Sequence, residues 1–119
     1  MFELCDEPLA RLAARLGDAA LAGLDSLEWL AETDSTNTRL LAQACPVHAR
    51  VLIADQQSAG RGRLGRVWSS SRGNAMLLSV ALPLPGGLAA AQSLSLAVGV
   101  VLVEALHGLG LTSVGLKWP

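Results

Sequence analysis

Gly60-Arg61-Gly62-Arg63-Leu64-Gly65-Arg66, followed by Val67-Trp68, sets three glycines and three arginines within seven residues. Glycine lets backbone N–H groups come close to a ligand, and arginine presents planar donor forks that match carboxylate and phosphate oxygens. The run comes shortly after an apolar stretch, Val51-Leu52-Ile53-Ala54, in a chain whose formal net charge is −1. A loop of this composition is built around an anion. The question is which one.

Gly60-x-Gly62-x-x-Gly65 matches the glycine spacing of a dinucleotide-binding turn and does follow a predicted strand. That turn must also open a helix and be followed about 20 residues later by an acid for the ribose. Here Val67-Trp68-Ser69-Ser70-Ser71-Arg72-Gly73-Asn74 reads as loop, and Pro85 falls where the acid belongs. A phosphate loop fails too, because no Gly-Lys-Ser/Thr follows the glycines. Arginine–glycine nucleic-acid segments are longer, repetitive and interleaved with aromatic residues, which this one is not. The plainest alternative is a surface loop whose arginines are only solvated.

Composition narrows the ligand. At 119 residues the chain suffices for one modest domain. It is 51% apolar and 16% charged, and its four aromatic residues, Phe2, Trp29, Trp68 and Trp118, leave the core to Leu, Val and Ala. Mean hydropathy is +0.43. Residues 1–34 hold eight acids against Arg11 and Arg15, whereas residues 35–103 hold six arginines against Asp55 alone. So local a basic concentration suits a small anion better than a long polyanion. Cys5 and Cys45 form no metal-ligand spacing, no metal-binding residue is assigned, and a reducing cytoplasm is expected. The acidic start is unlike a secretory signal. The most apolar stretch, Ser93 to Val103, has eleven residues. A membrane span needs roughly 20, so a buried core helix is expected there and no membrane partner.

The elements that must position the loop follow from periodicity. Asp6 caps a first helix with Pro8 in its first turn, Leu9, Leu12, Ala13 and Leu16 on one face, and Gly17 at its end. Ser26 to Thr33 alternates as a strand, with Leu27, Trp29 and Ala31 opposite Glu28 and Glu32. Asp34-Ser35-Thr36-Asn37 supplies capping side chains for a short helix that stops by Pro46. Val51 to Asp55 and Ala75 to Leu82 read as strands, Leu88 to Leu109 as the longest helix, and Thr112 to Trp118 as a last alternating strand. The expected class is α/β (α+β), a mixed sheet packed on one side by the long helix. The Gly60–Gly73 loop, rich in Gly and Ser, is expected to be poorly ordered or held open without ligand.

Three separated segments then resemble one family. Asp34-Ser35-Thr36-Asn37, Gln57-Ser58-Ala59-Gly60-Arg61-Gly62-Arg63-Leu64-Gly65-Arg66-Val67-Trp68, and Lys117-Trp118-Pro119 occur in the order and approximate spacing of bacterial biotin protein ligases. The resemblance runs from Trp29 to Pro119. It implies a catalytic domain like that of class II aminoacyl-tRNA synthetases, occupying 26–119 after a helical lead-in over 1–25. It also implies the activity: biotin activated with ATP and Mg²⁺ to biotinyl-5′-AMP, then passed to a lysine of the biotin carboxyl carrier protein of acetyl-CoA carboxylase. The other reading is a non-catalytic domain that binds biotin or a lipoate-like acid.

By the same resemblance Arg61 and Arg63 lie along the carboxyl–phosphate link of the adenylate, with Gly60 and Gly62 letting the backbone wrap it. Lys117, opposite Leu116 and Trp118 on its strand, adds a compact charge, and Arg63 and Lys117 are the catalytic pair. Ser35, Thr36, Asn37 and Gln57 are similar to the polar groups that orient the biotin rings, and Trp68 to the aromatic beside adenine. Ser35, Thr36 and Asn37 would cap a helix with or without biotin, and Trp29 and Trp118 are read as core. Cys5, Cys45, His48 and His107 match no family position. In the family, Lys-Trp-Pro continues into Asn-Asp. The chain is therefore expected to be the front part of the catalytic domain and inactive alone. The segment before Asp25 carries one confident helix, too little for a DNA-binding winged helix, so DNA is not an expected partner; a homodimer is compatible with the longer protein.

Overall fold

The computed structural model describes residues 7–118; the Asp6 cap, Cys5 and Pro119 lie outside them. The described chain forms two compact units, divided between Pro83 and Leu84.

The first unit is built on a three-stranded sheet in the order β1 (Leu24–Leu30), β2 (Ala49–Ala54), β3 (Leu77–Ala81). β1 runs parallel to β2, with Trp29 beside Ile53, and β2 runs antiparallel to β3, with Leu52 beside Ser79. The mixed sheet expected from the sequence is present. Parallel neighbours need a crossover, and α2 (Thr36–Leu41) supplies it between β1 and β2. Because side chains alternate along a strand, Leu52, Ala54, Leu77 and Ser79 share the face on which α2 packs. Leu27, Trp29 and Ile53 turn to the other face. There α1 (Glu7–Ala22) packs along β1, with Leu12 beside Trp29 and Ile53 around one cleft. The buried apolar residues are Leu9, Leu27, Leu40, Leu52, Ala54 and Leu77.

Gly17 does interrupt the first helix: at φ 76° and ψ 165° it leaves the helical region, and a second run restarts to Ala22. The alanine-rich Asp18–Ala22 segment has the propensity to resume where the sequence reading ended the element. Asp25 ties the start of β1 to the chain entering β2. It accepts from Val47 N–H at 2.7 Å, His48 N–H at 3.2 Å and His48 Nδ1 at 3.0 Å. Trp29 is half-buried, and its indole Nε1–H donates to Asp55 Oδ1 at 2.8 Å.

The second unit departs from the sequence reading. The long helix is two, α3 (Gly87–Ala91) and α4 (Leu94–Gly108), separated by a turn at Gln92-Ser93. The stretch Gly87–Gly108 has 22 residues and contains an 18-residue window of mean hydropathy 1.8, enough by length and composition to cross a membrane. None of the α4 residues is buried, contrary to the expected core helix. Apolar side chains run around its whole circumference, the pattern of a helix enclosed on every side. The helices packed on the sheet are α1 and α2, while the long helix belongs to this separate unit.

α4 ends as the glycines indicated. Gly110 at φ 89° donates to His107 C=O at 2.9 Å, and Leu111 N–H to Leu106 C=O at 3.0 Å, closing a paired C-terminal cap. Thr112 to Trp118, expected to be a strand, is irregular. Alternation says which side chains share a face; a strand also needs a hydrogen-bonded neighbour, and no described strand pairs with this segment. It folds back on α4 instead. Leu116 Cδ1 lies where a Cβ on Gly99 would be 2.7 Å away, and the His107 ring nitrogen Nε2 lies 2.7 Å from the Val114 carbonyl. Trp118, expected in the core, is exposed.

Candidate functional site

The site begins where the parallel pairing of β1 and β2 continues past the strand ends. Thr33 N–H donates to Gln56 C=O at 3.1 Å, Ser58 N–H to Thr33 C=O at 2.9 Å, and Ala59 N–H to Asp34 C=O at 2.8 Å. These bonds bring Asp34-Ser35-Thr36-Asn37 alongside Gln57, 21 residues from Thr36 in sequence.

Ser35 caps α2 as expected, its hydroxyl accepting from Thr38 N–H at 3.3 Å. The capping reading of this residue is therefore correct whatever else it does. Thr36 is 4% exposed and makes no cap. Its N–H and hydroxyl both reach Gln57 Oε1, at 2.7 and 3.0 Å, and its hydroxyl lies 2.8 Å from Ser79 Oγ.

Asp34 holds the turn from outside. Its Oδ1 accepts from Ser35 N–H at 2.6 Å and from the Thr33 hydroxyl at 3.1 Å. These bonds to the ionised carboxylate, Ser35's foremost, hold its pKa below the ordinary aspartate value. A carboxyl depressed on folding stabilises the native turn above its unfolded pKa, and that stability is lost as pH falls through the folded value. The turn should thus be intact at neutral pH and loosen only below about pH 4. The Ser35 amide signal, followed through an acid titration, should show a midpoint below the ordinary aspartate value, and Asp34→Asn should flatten the curve. A midpoint at or above that value would contradict the assignment.

The Gly/Arg run is a hairpin. Gly62 N–H donates to Arg66 C=O at 2.7 Å, Trp68 N–H to Gly60 C=O at 2.9 Å, and Arg61 bridges Val67 across it. Its tip is the 3₁₀ turn Arg63–Gly65, with Leu64 at φ 59° and Gly65 at φ 72°. Backbone pairing thus gives residues 60–68 the form of a hairpin. Leu64 at the tip is 93% exposed. Gly60 is required by close approach, since a Cβ there would lie 2.5 Å from the Trp68 carbonyl oxygen. Among the described residues none of Arg61, Arg63 and Arg66 is in a salt bridge, so their charge is available to an external anion. Arg72, grouped with them by sequence, instead donates to Ala31 C=O at 3.2 Å.

Ser35, Thr36, Asn37, Gln57, Arg61 and Trp68 line one cleft of about 200 Å³, floored by Met76 to Ser79 of β3 and its approach. Arg61 also lines a groove of about 560 Å³ along the hairpin with Gly60 and Gly62. Arg63 lines a third hollow with Trp68, on the tip side. Lys117 lies in the second unit, on the segment after α4. Ser79 was not identified from the sequence. Its one signal was a lone hydroxyl in the apolar strand Leu77-Leu78-Ser79-Val80-Ala81. A polar cleft with an aromatic wall and an unpaired guanidinium at its mouth can hold a compact, hydrogen-bonding ligand that carries an acid.

Residues 29–119 match the model of the biotin/lipoate A/B protein ligase family. The chain is 41% identical over 114 residues to the bifunctional ligase/repressor BirA of Escherichia coli, covering 95% of this chain and 35% of that protein. It is 37% identical over 105 residues to the biotin–[acetyl-CoA-carboxylase] ligase of Mycobacterium tuberculosis, covering 82% and 40%. To the ligase of the same name from Paracoccus denitrificans it is 42% identical over 94 residues, covering 76% and 38%. The chain thus spans between a third and two fifths of the length of these curated relatives. With a family match over most of its length, the chain belongs to the biotin/lipoate A/B protein ligase family.

Proposed function

We propose that this chain is part of the catalytic domain of a cytoplasmic biotin protein ligase, with α1 as a helical lead-in to the sheet that begins at Leu24. The domain is of the class II aminoacyl-tRNA synthetase type. The observation that carries the reading is the cleft that gathers Ser35, Thr36, Asn37, Gln57, Arg61 and Trp68 from two separate stretches of sequence. Its polar wall suits the fused rings of biotin, and the hairpin arginines suit the acid at the end of the biotin chain.

In this reading a biotin carboxylate oxygen attacks the α-phosphorus of ATP, the bond to pyrophosphate breaks, and biotinyl-5′-AMP results. Two anions have to be held together, so fixed cationic groups and preorganised N–H donors carry much of the catalysis. Arg61 and Arg63 serve the carboxyl–phosphate link, Gly60 and Gly62 let the backbone close on it, and Trp68 stands beside adenine. Lys117 adds its charge at the same oxygens. The acceptor is a lysine of the biotin carboxyl carrier protein, whose amine displaces AMP. Among the described residues no three His, Cys, Asp or Glu side chains are grouped to hold a metal. A Mg²⁺ ion would arrive on the nucleotide phosphates, which supply most of its oxygen ligands in sites of this kind. The exposed apolar circumference of α4 is read as surface that the rest of a ligase covers.

Biotin-dependent exchange of labelled pyrophosphate into ATP tests the reading directly. Exchange is expected from a longer protein that contains this segment and not from the 119-residue chain alone. A longer protein that binds biotin without exchange would make the second reading, a non-catalytic binding domain, the correct one.

A further inference from the structure

Every cationic side chain before residue 117 is an arginine, and Lys117 is the one lysine in the chain. At most of these positions a contact or a role accompanies the guanidinium. Arg50 donates to Gln43 Oε1 at 3.1 Å and to Ala44 C=O at 2.8 Å, and Arg72 donates to Ala31 C=O. Arg61 and Arg63 have the anion of the biotin reading. Arg66 has neither. Its backbone holds the hairpin, since Gly62 N–H donates to its carbonyl at 2.7 Å. Its side chain is exposed and is in no salt bridge among the described residues. For the fold, a lysine would serve as well.

Position separates the two side chains. Arg66 lines the groove that holds Gly60, Arg61 and Gly62, and it also lines the hollow on the tip side with Arg63 and Trp68. It therefore shares a wall with each of the two arginines set along the carboxyl–phosphate link. The acyl carbon of that link is an electrophile, and a nucleophile held beside it reacts at a high effective concentration. A lysine amine becomes a nucleophile once it loses a proton, whereas a guanidinium stays protonated and has no lone pair to give.

We propose that Arg66 is a specificity-determining residue: it places positive charge beside the acyl adenylate without a nucleophile, so that biotin passes to an external lysine and not to the hairpin. The proposal rests on the biotin reading above. With lysine at this position, unprotonated Nζ attacks the acyl carbon of biotinyl-5′-AMP and a C–N bond forms. The bond from that carbon to the phosphate oxygen breaks, AMP leaves with the electron pair, and the proton on nitrogen passes to solvent.

Synthetic biotinyl-5′-AMP added to the 119-residue chain tests this, with labelled positions mapped by peptide mass spectrometry. Arg66→Lys is compared with Arg11→Lys, an exposed position on α1. A succinimidyl ester of biotin, which needs no binding site, calibrates the intrinsic reactivity of each new amine. Lys117 and the N-terminal amine are common to all variants and set the background. Relative to the ester, the adenylate should label position 66 at least about tenfold more than position 11. Excess free biotin should suppress that difference. Equal ratios at the two positions, in a chain that retains the adenylate on equilibrium dialysis, would overturn the role of Arg66 and leave the biotin reading standing. A wild-type chain that does not retain the adenylate would overturn the biotin reading, and this inference with it.

Discussion

Gly60→Ala should collapse both the hairpin and the cleft. A Cβ at this position would sit 2.5 Å from the Trp68 carbonyl oxygen and 3.0 Å from Gln57 Nε2. The first neighbour is backbone and is fixed by the 2.9 Å bond from Trp68 N–H to Gly60 C=O, so the base of the hairpin must open. Overpacking of this kind costs about 1–3 kcal/mol. Moving Trp68 and Gln57 together displaces two walls of the same cleft, and biotin affinity should fall at least about tenfold. Gly62→Ala is the control for folding, because its Cβ would meet Arg66 only at 3.4 Å. Thermal melting should show a clear loss for Gly60→Ala and little for Gly62→Ala. Equal melting temperatures would remove the steric account of Gly60.

Arg63→Ala should do the opposite, leaving the fold and harming the chemistry. The side chain projects from the exposed hairpin tip and is in no salt bridge among the described residues. Its loss should change stability by no more than about 0.5 kcal/mol. If Arg63 holds the adenylate, losing a charge-assisted hydrogen bond costs about 1.5–3 kcal/mol. Released biotinyl-AMP should then appear roughly ten- to a hundredfold more readily. In a longer protein that carries out the first step, the visible sign would be biotin on bystander lysines, read by streptavidin blot. Tight retention of the adenylate by Arg63→Ala would contradict the role given to this side chain. The two substitutions form a pair: one glycine whose absent side chain holds the site together, and one arginine whose side chain the fold can spare.

Local chemistry was legible in the sequence. The Gly/Arg run, the Ser35 cap, the break at Gly17 and the glycines closing α4 all depend on residues within a few positions of one another, where side-chain type and backbone preference decide the outcome. Alternation in β1 and the short apolar runs of β2 and β3 likewise marked the strands, because both patterns are properties of each strand alone. Partners were not legible. Ser79 meets Thr36 across 43 residues, and only the pairing of β2 with β3 brings the two hydroxyls together. The same limit explains the last segment: Thr112 to Trp118 alternates as a strand does, yet pairing requires a neighbour that the pattern cannot name. Burial of α4 fails for a related reason. Hydrophobic side chains state that a surface should be covered, and only tertiary structure decides what covers it. The sequence by itself thus determined which groups could do the chemistry and the turns that present them. Tertiary structure decided which of them face one cleft, because that depends on strand order and register.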